Sequence, residues 1–127
     1  MFRSHLRKSR RFLLITTLVA VVALVLAAAA YATGANISPE SQVGHSGVQV
    51  SWTGSWSGTS PFDVYFYYGD GGANTHLSNT SATSHTFHYT FYPCIDTVYY
   101  QTLEVTDHLG LNAGAESEVQ VLKGDIC

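Results

Sequence analysis

The stretch SPFDVYFYYGDGG, residues 60–72, decides the fold. Side chains alternate across a strand, so Val64, Phe66 and Tyr68 share one face and Asp63, Tyr65 and Tyr67 the other. Aromatic rings on both faces make full solvation costly. The strand is therefore expected at the centre of a sheet, packed on a second sheet on at least one side. Gly69-Asp70-Gly71-Gly72 then ends it. Aspartate bonds backbone two residues on and glycine accepts positive φ, so this run turns at little cost.

Working outward, Val48-Gln49-Val50-Ser51-Trp52 alternates apolar and polar residues, as a strand with one buried face does. Gly54-Ser55-Trp56-Ser57-Gly58 loosens into a loop that ends at Pro61. Residues 73–84 are rich in Asn, Ser and Thr and form a loop or a weak edge strand. His85 to Tyr89 starts another strand, and Pro93 and Cys94 mark a turn. Residues 97–107, TVYYQTLEVTD, make the longest β-prone run, with Tyr99, Leu103 and Val105 on one face. Gln101 falls on that same face, a polar insertion without a sequence explanation. Residues 107–114 connect to a last strand, Glu118 to Val121. Short strands separated by turns, with no helical period, predict an all-β sandwich.

The first third of the 127 residues differs in kind. Arg3, Arg7, Lys8, Arg10 and Arg11 precede the apolar run FLLITTLVAVVALVLAAAAYA, residues 12–32, which is expected to be one hydrophobic helix. Its length is long for a signal core and just enough to cross a bilayer, while Ala30-Tyr31-Ala32 is an A-x-A cleavage pattern. Signal peptide and transmembrane anchor both fit, with the basic end left in the cytoplasm. The organisation expected is a signal or anchor at 1–32, a polar linker or edge segment at 33–47, and a sandwich at 48–127. The chain beyond residue 32 is exported, to the cell surface or the extracellular space.

Beyond Phe12 the chain carries one lysine against nine acids, a formal charge of −8 with His neutral. Such a surface repels phosphate backbones, which excludes nucleic acid as a partner. It suits solubility, cation association or a basic partner. Cys94 and Cys127 are the two cysteines, and in an oxidising compartment they are expected to pair, although a bridge between chains through Cys127 is also open. Asn36-Ile37-Ser38 and Asn79-Thr80-Ser81 are glycosylation sequons.

The strand and turn residues resemble the PKD domain, an immunoglobulin-like sandwich of exported and surface proteins. Phe66-Tyr67-Tyr68-Gly69-Asp70-Gly71 stands where that family has W-D-F-G-D-G. His85-Thr86-Phe87 matches its H-T-Y, and residues 103–110, LEVTDHLG, its closing L-x-V-x-D-x-x-G run. The departures are Phe66 for tryptophan, Tyr67 for the first aspartate, and the longer segment HYTFYPCIDTV. The resemblance spans roughly residues 35–122. It implies a spacer, an adhesion module, or a unit that contacts protein or glycan, and it names no activity.

Catalytic patterns fail on inspection. Neither Gly44-His45-Ser46-Gly47 nor Gly54-Ser55-Trp56-Ser57-Gly58 centres a serine in a G-x-S-x-G elbow leading into a helix. His85 and His88, three apart on a strand, face opposite ways and make poor co-ligands for zinc. Asp70 and Asp107 could meet at loop ends as oxygen ligands for calcium, though capping their own turns is the simpler role. No enzyme activity and no cofactor are expected. Trp56 reads either as a loop aromatic folded back on the sandwich or as an exposed ring able to stack on a sugar. With Tyr92, or with an open strand edge, it is the contact surface this reading offers. The function expected is a structural or adhesive binding module whose partners are cell-envelope proteins or glycans, with residues 12–32 in the membrane if uncleaved. A carbohydrate-binding accessory is one alternative. The other is a filament subunit binding copies of itself, either pilin-like, with the apolar segment kept as a core helix, or with residues 33–47 adding as a strand to a neighbour.

Overall fold

The computed structural model describes residues 34–125 and Cys127. The signal or anchor expected at residues 1–32 lies outside them. Eight strands are present: β1 (Gly34–Ser38), β2 (Ser41–His45), β3 (Gln49–Ser57), β4 (Phe62–Tyr67), β5 (Asn74–Thr80), β6 (Ser84–Thr90), β7 (Thr97–Thr106) and β8 (Asn112–Leu122). They form two sheets, ordered β1-β3-β6 and β2-β8-β7-β4-β5. β2 runs parallel to β8, and the other pairings are antiparallel. Among the described residues there is no helix.

β4 sits between β7 and β5, as its two aromatic faces demand. Val64, Phe66 and Tyr68 are buried while Asp63, Tyr65 and Tyr67 look outward. Trp52 meets this strand from the opposite sheet, its ring centroid 5.6 Å from Phe66, 5.9 Å from Tyr68 and 6.3 Å from Phe91. Phe66 stacks on Phe87 at 4.3 Å, and Tyr68 on Tyr89 at the same spacing. Offset and edge contacts of this kind each add about 0.5–1.5 kcal/mol to plain burial. The Trp52 indole N–H is buried here without a hydrogen-bond partner among the described residues.

β3 corrects the expected loop at residues 54–58, because it continues through Gly54 to Ser57. Val50, Trp52, Gly54 and Trp56 point inward in regular alternation. Gly54 faces the crowded centre, where a Cβ would lie 2.9 Å from the Phe87 ring and 3.3 Å from Leu103. Its glycine is a packing requirement and does not interrupt the strand. Residues 33–47, expected as a polar linker or edge segment, contribute two edge strands from Gly34 onward. β1 pairs with β3 through five residues and buries Ile37, and β2 pairs with β8. Their polar sequences follow from edge positions that leave each strand one buried residue, Ile37 or Gly44.

Gln101 and Ser117, both buried inside the sandwich, bond each other. Gln101, fully buried, donates from Nε2 to the Tyr68 and Tyr99 carbonyls at 3.1 Å and accepts from the Ser117 hydroxyl at 2.9 Å. Gly69, at φ 92°, lies against β7 so closely that a Cβ would run into the Tyr100 carbonyl.

Candidate contact surfaces

The expected site residues are scattered. Of the two readings of Trp56, the exposed contact ring is corrected and the ring packed on the sandwich is found: it is 5 % exposed, packs edge-on to Phe62 and donates its indole N–H to the Ala82 carbonyl at 2.8 Å. Tyr92 is 75 % exposed, beside Ile95, in the loop between β6 and β7. Because Gln49 pairs with Thr90 and Ser55 with Ser84, Trp56 and Tyr92 lie at opposite ends of the thinner sheet, roughly 24 Å apart along the strand. They cannot form one binding patch. Cys94 and Cys127 are disulfide-bonded within the chain, with Cα atoms 5.5 Å apart, which pins the Tyr92 loop to the C-terminal segment. Asn36 and Asn79, the sequon residues, are both exposed.

The calcium pairing of Asp70 and Asp107 is corrected by strand direction. β4 and β7 are antiparallel, so the residues that follow their C-terminal ends sit at opposite ends of the sheet, roughly 20 Å apart. Each carboxylate serves its own turn. Asp107 accepts from the backbone N–H groups of Thr59, Leu109 and Leu111 at 2.9–3.1 Å. Asp70 accepts from the Gly72 N–H at 3.0 Å and from the Tyr89 hydroxyl. Among the described residues no group of three His, Cys, Asp or Glu is placed to hold a metal ion. No described helix is long and apolar enough to cross a membrane.

The Tyr89–Asp70 contact carries a pH signature. The hydrogen bond to Asp70, then partial burial, pushes the Tyr89 phenol up from 10 to about 12. A raised acid favours the protonated form in the folded chain, so its stabilisation is whole below pH 10 and disappears as pH climbs toward 12. Urea midpoints of the wild type and Tyr89→Phe, measured from pH 8 to 12, should differ by a constant amount up to pH 10 and converge above it.

Two surfaces stand out in the folded chain. One is the free edge of β6, which pairs with β3 alone. The strands β1, β3 and β6 contain no Asp, Glu, Lys or Arg. β6 has no proline, glycine or register shift, the devices that usually blunt an edge. By contrast, the opposite-sheet edge at β5 is kinked, with a register shift against β4 and Asn79 at φ 53°. The Phe66–Phe87 and Tyr68–Tyr89 stacks set β6 over β4, so β5 projects past the β6 edge. Thr75 and Leu77 of β5 face inward there and are half-buried.

The other surface is the outer face of the five-stranded sheet. Tyr65 stacks on His76 at 4.0 Å and on Tyr67 at 6.1 Å, and Asp63 bonds His76 at 2.6 Å. Register places Glu104 beside Tyr65 and Glu118 beside Tyr100. The alternation in residues 63–67 already turns Tyr65 and Tyr67 away from the core. Their company with Tyr100 and the glutamates depends on pairing between distant strands.

No protein-family profile matches the chain, and no curated protein does. Among solved structures it is similar to the PKD domain of an M14-like peptidase from Thermoplasmatales archaeon SCGC AB-540-F20, with TM-score 0.60 and 17 % identity over 72 % of this chain and 96 % of that one. It is also similar to the N-terminal four Ig domains of Dscam1 isoform 8.4, with TM-score 0.47 and 15 % identity over 71 % of this chain and 21 % of that one. A third similarity is to Dpr1 IG1 bound to DIP-eta IG1, with TM-score 0.44 and 8 % identity over 71 % and 95 %. The first likeness is one of fold: this chain has an all-β, immunoglobulin-like sandwich fold similar to that of a PKD domain.

Proposed function

We propose that this chain is an exported, cell-surface structural or adhesive module without catalytic activity, and that it holds its partner by accepting an extended segment at the β6 edge. The observation that carries this reading is the combination of an uncharged, unkinked edge with the half-buried Leu77 projecting beneath it. A strand added to β6 would complete its backbone hydrogen bonds and cover Leu77 with an apolar side chain. The occupant is an extended segment of an envelope polypeptide. Two intact copies could not pair β6 with β6, because each copy's β5 would occupy the space beneath the other's edge.

One route within each alternative loses its motive. Filament assembly through residues 33–47 would strip Ile37 from its own core and break the β1–β3 pairing. A sugar platform on Trp56 has no exposed ring to offer. Replacing His85 and Thr86 together by lysine puts charge on both sides of the edge, the device natural sheets use to block it. The double variant should fold with stability within about 0.5 kcal/mol of wild type, yet lose more than tenfold (about 1.4 kcal/mol or more) in binding to the native cell envelope. Thr53→Lys, beside Thr86 on the inner strand β3 and off the free edge itself, should bind normally. Equal binding by all three proteins would sink the reading.

A further inference from the structure

The two sheets divide the charge of the domain between them. The thinner sheet has none, whereas the strands of the five-stranded sheet carry Asp63, Glu104, Glu116 and Glu118 and no Lys or Arg. Lys123, the one Lys or Arg among the described residues, lies outside those strands. The acids do not stand alone. They border a band of outward-facing rings and apolar side chains that crosses the sheet: the half-buried Tyr65 and the exposed Tyr67 and Tyr100, extended by Val98 and Val43. Tyr100 is 65 % exposed, Val43 62 % and Val98 44 %. A shallow depression lined by Glu40, Ser41, Tyr100, Glu116 and Glu118 continues it at one end.

We infer that this face docks a polypeptide segment bearing arginine or lysine side chains. Stacked phenol rings offer their electron-rich faces to a cation, and the guanidinium plane fits such a ring best. Neighbouring carboxylates pair with the same cation: Glu104, Glu116 and Glu118 meet no Lys or Arg on the strands of this sheet, while Asp63 is already engaged by His76. The Tyr67 phenol stays neutral far into alkaline pH, because partial desolvation and then the Glu104 carboxylate push it up. A second copy of the same face is excluded as occupant, since it would bring four carboxylates against four. This inference is independent of the edge reading and stands if that reading fails.

The test uses the full chain in detergent micelles and three probes: a hexa-arginine peptide, a hexa-glutamine peptide and cellohexaose. Titration calorimetry in dilute buffer should show hexa-arginine binding and no hexa-glutamine or cellohexaose binding. Raising the salt toward 1 M, where the screening length falls to about 3 Å, should weaken it more than tenfold, by about 1.4 kcal/mol or more. The triple variant Glu104→Gln, Glu116→Gln, Glu118→Gln should bind about tenfold more weakly and with a flatter salt dependence. Tyr100→Leu, which keeps the exposed position apolar, should lose about two- to five-fold, whereas Asp125→Asn should change nothing. Circular dichroism confirms that each variant folds. The inference is overturned if hexa-arginine does not bind, if Asp125→Asn costs as much as the triple change, or if Tyr100→Leu costs nothing. Cellohexaose binding that survives the triple change would overturn it too, by making the face a sugar site.

Discussion

Gln101→Ala is expected to destabilise the domain by about 3–5 kcal/mol, a large share of the roughly 5–15 kcal/mol a domain has. Two effects add. The change leaves three groups without Gln101, so the Tyr68 and Tyr99 carbonyls lose a donor and the buried Ser117 hydroxyl its acceptor. Each orphaned group costs about 1–3 kcal/mol. The missing side chain also leaves a cavity at a position with no solvent exposure. Gln101→Leu separates the two contributions, because it refills most of the volume and restores no hydrogen bond. Urea unfolding should rank wild type above Leu and Leu above Ala, with the Leu variant about 2–3 kcal/mol below wild type. A Leu variant as stable as wild type would show that the hydrogen bonds contribute nothing net.

Asp107→Ala is expected to cost about 3 kcal/mol, because one buried carboxylate accepts three backbone N–H groups. Two belong to its own turn and the third, from Thr59, ties the β3–β4 connection to the β7–β8 hairpin. Loosening should therefore reach both loops, and amide exchange at Thr59 and Leu111 should accelerate together. Asp107→Asn keeps one acceptor oxygen and should fall between. Millimolar calcium should leave Tm unchanged in all three proteins. A calcium-induced rise in wild type that Asp107→Ala abolishes would restore a ligand role to this carboxylate.

The central strand was legible in residues 60–72 because its alternation reports both faces at once, and β7 was legible for the same reason. Asp107 was legible as a turn residue from its place before His108-Leu109-Gly110. Trp56 was misjudged on its Ser and Gly neighbours, although its spacing from Trp52 put the two on one face. Gly54 hid that spacing, since glycine marks a loop and a crowded core position equally well. For β1 and β2 the sequence leaves linker and edge segment undivided, because an edge strand with one inward residue has too little pattern to separate the two. The partners of Gln101 were beyond reach for a different reason. They come from β8 and from the end of β4, and pairing between those strands is set by the packed sandwich. The face that joins Tyr65 to Tyr100 and Glu118 depends on register in the same way.

A photo-crosslinking residue introduced at Thr86, in the native host, gives the most direct test of the edge as a contact surface. The same residue at Asp125, exposed and far from the β6 edge in sequence, serves as the comparison. Irradiation of intact cells should link position 86 to one discrete envelope polypeptide through an extended segment, and the His85→Lys background should abolish that adduct. Position 125 should give none. Adducts of equal yield at both positions, or an adduct at 86 indifferent to His85→Lys, would contradict strand addition at β6.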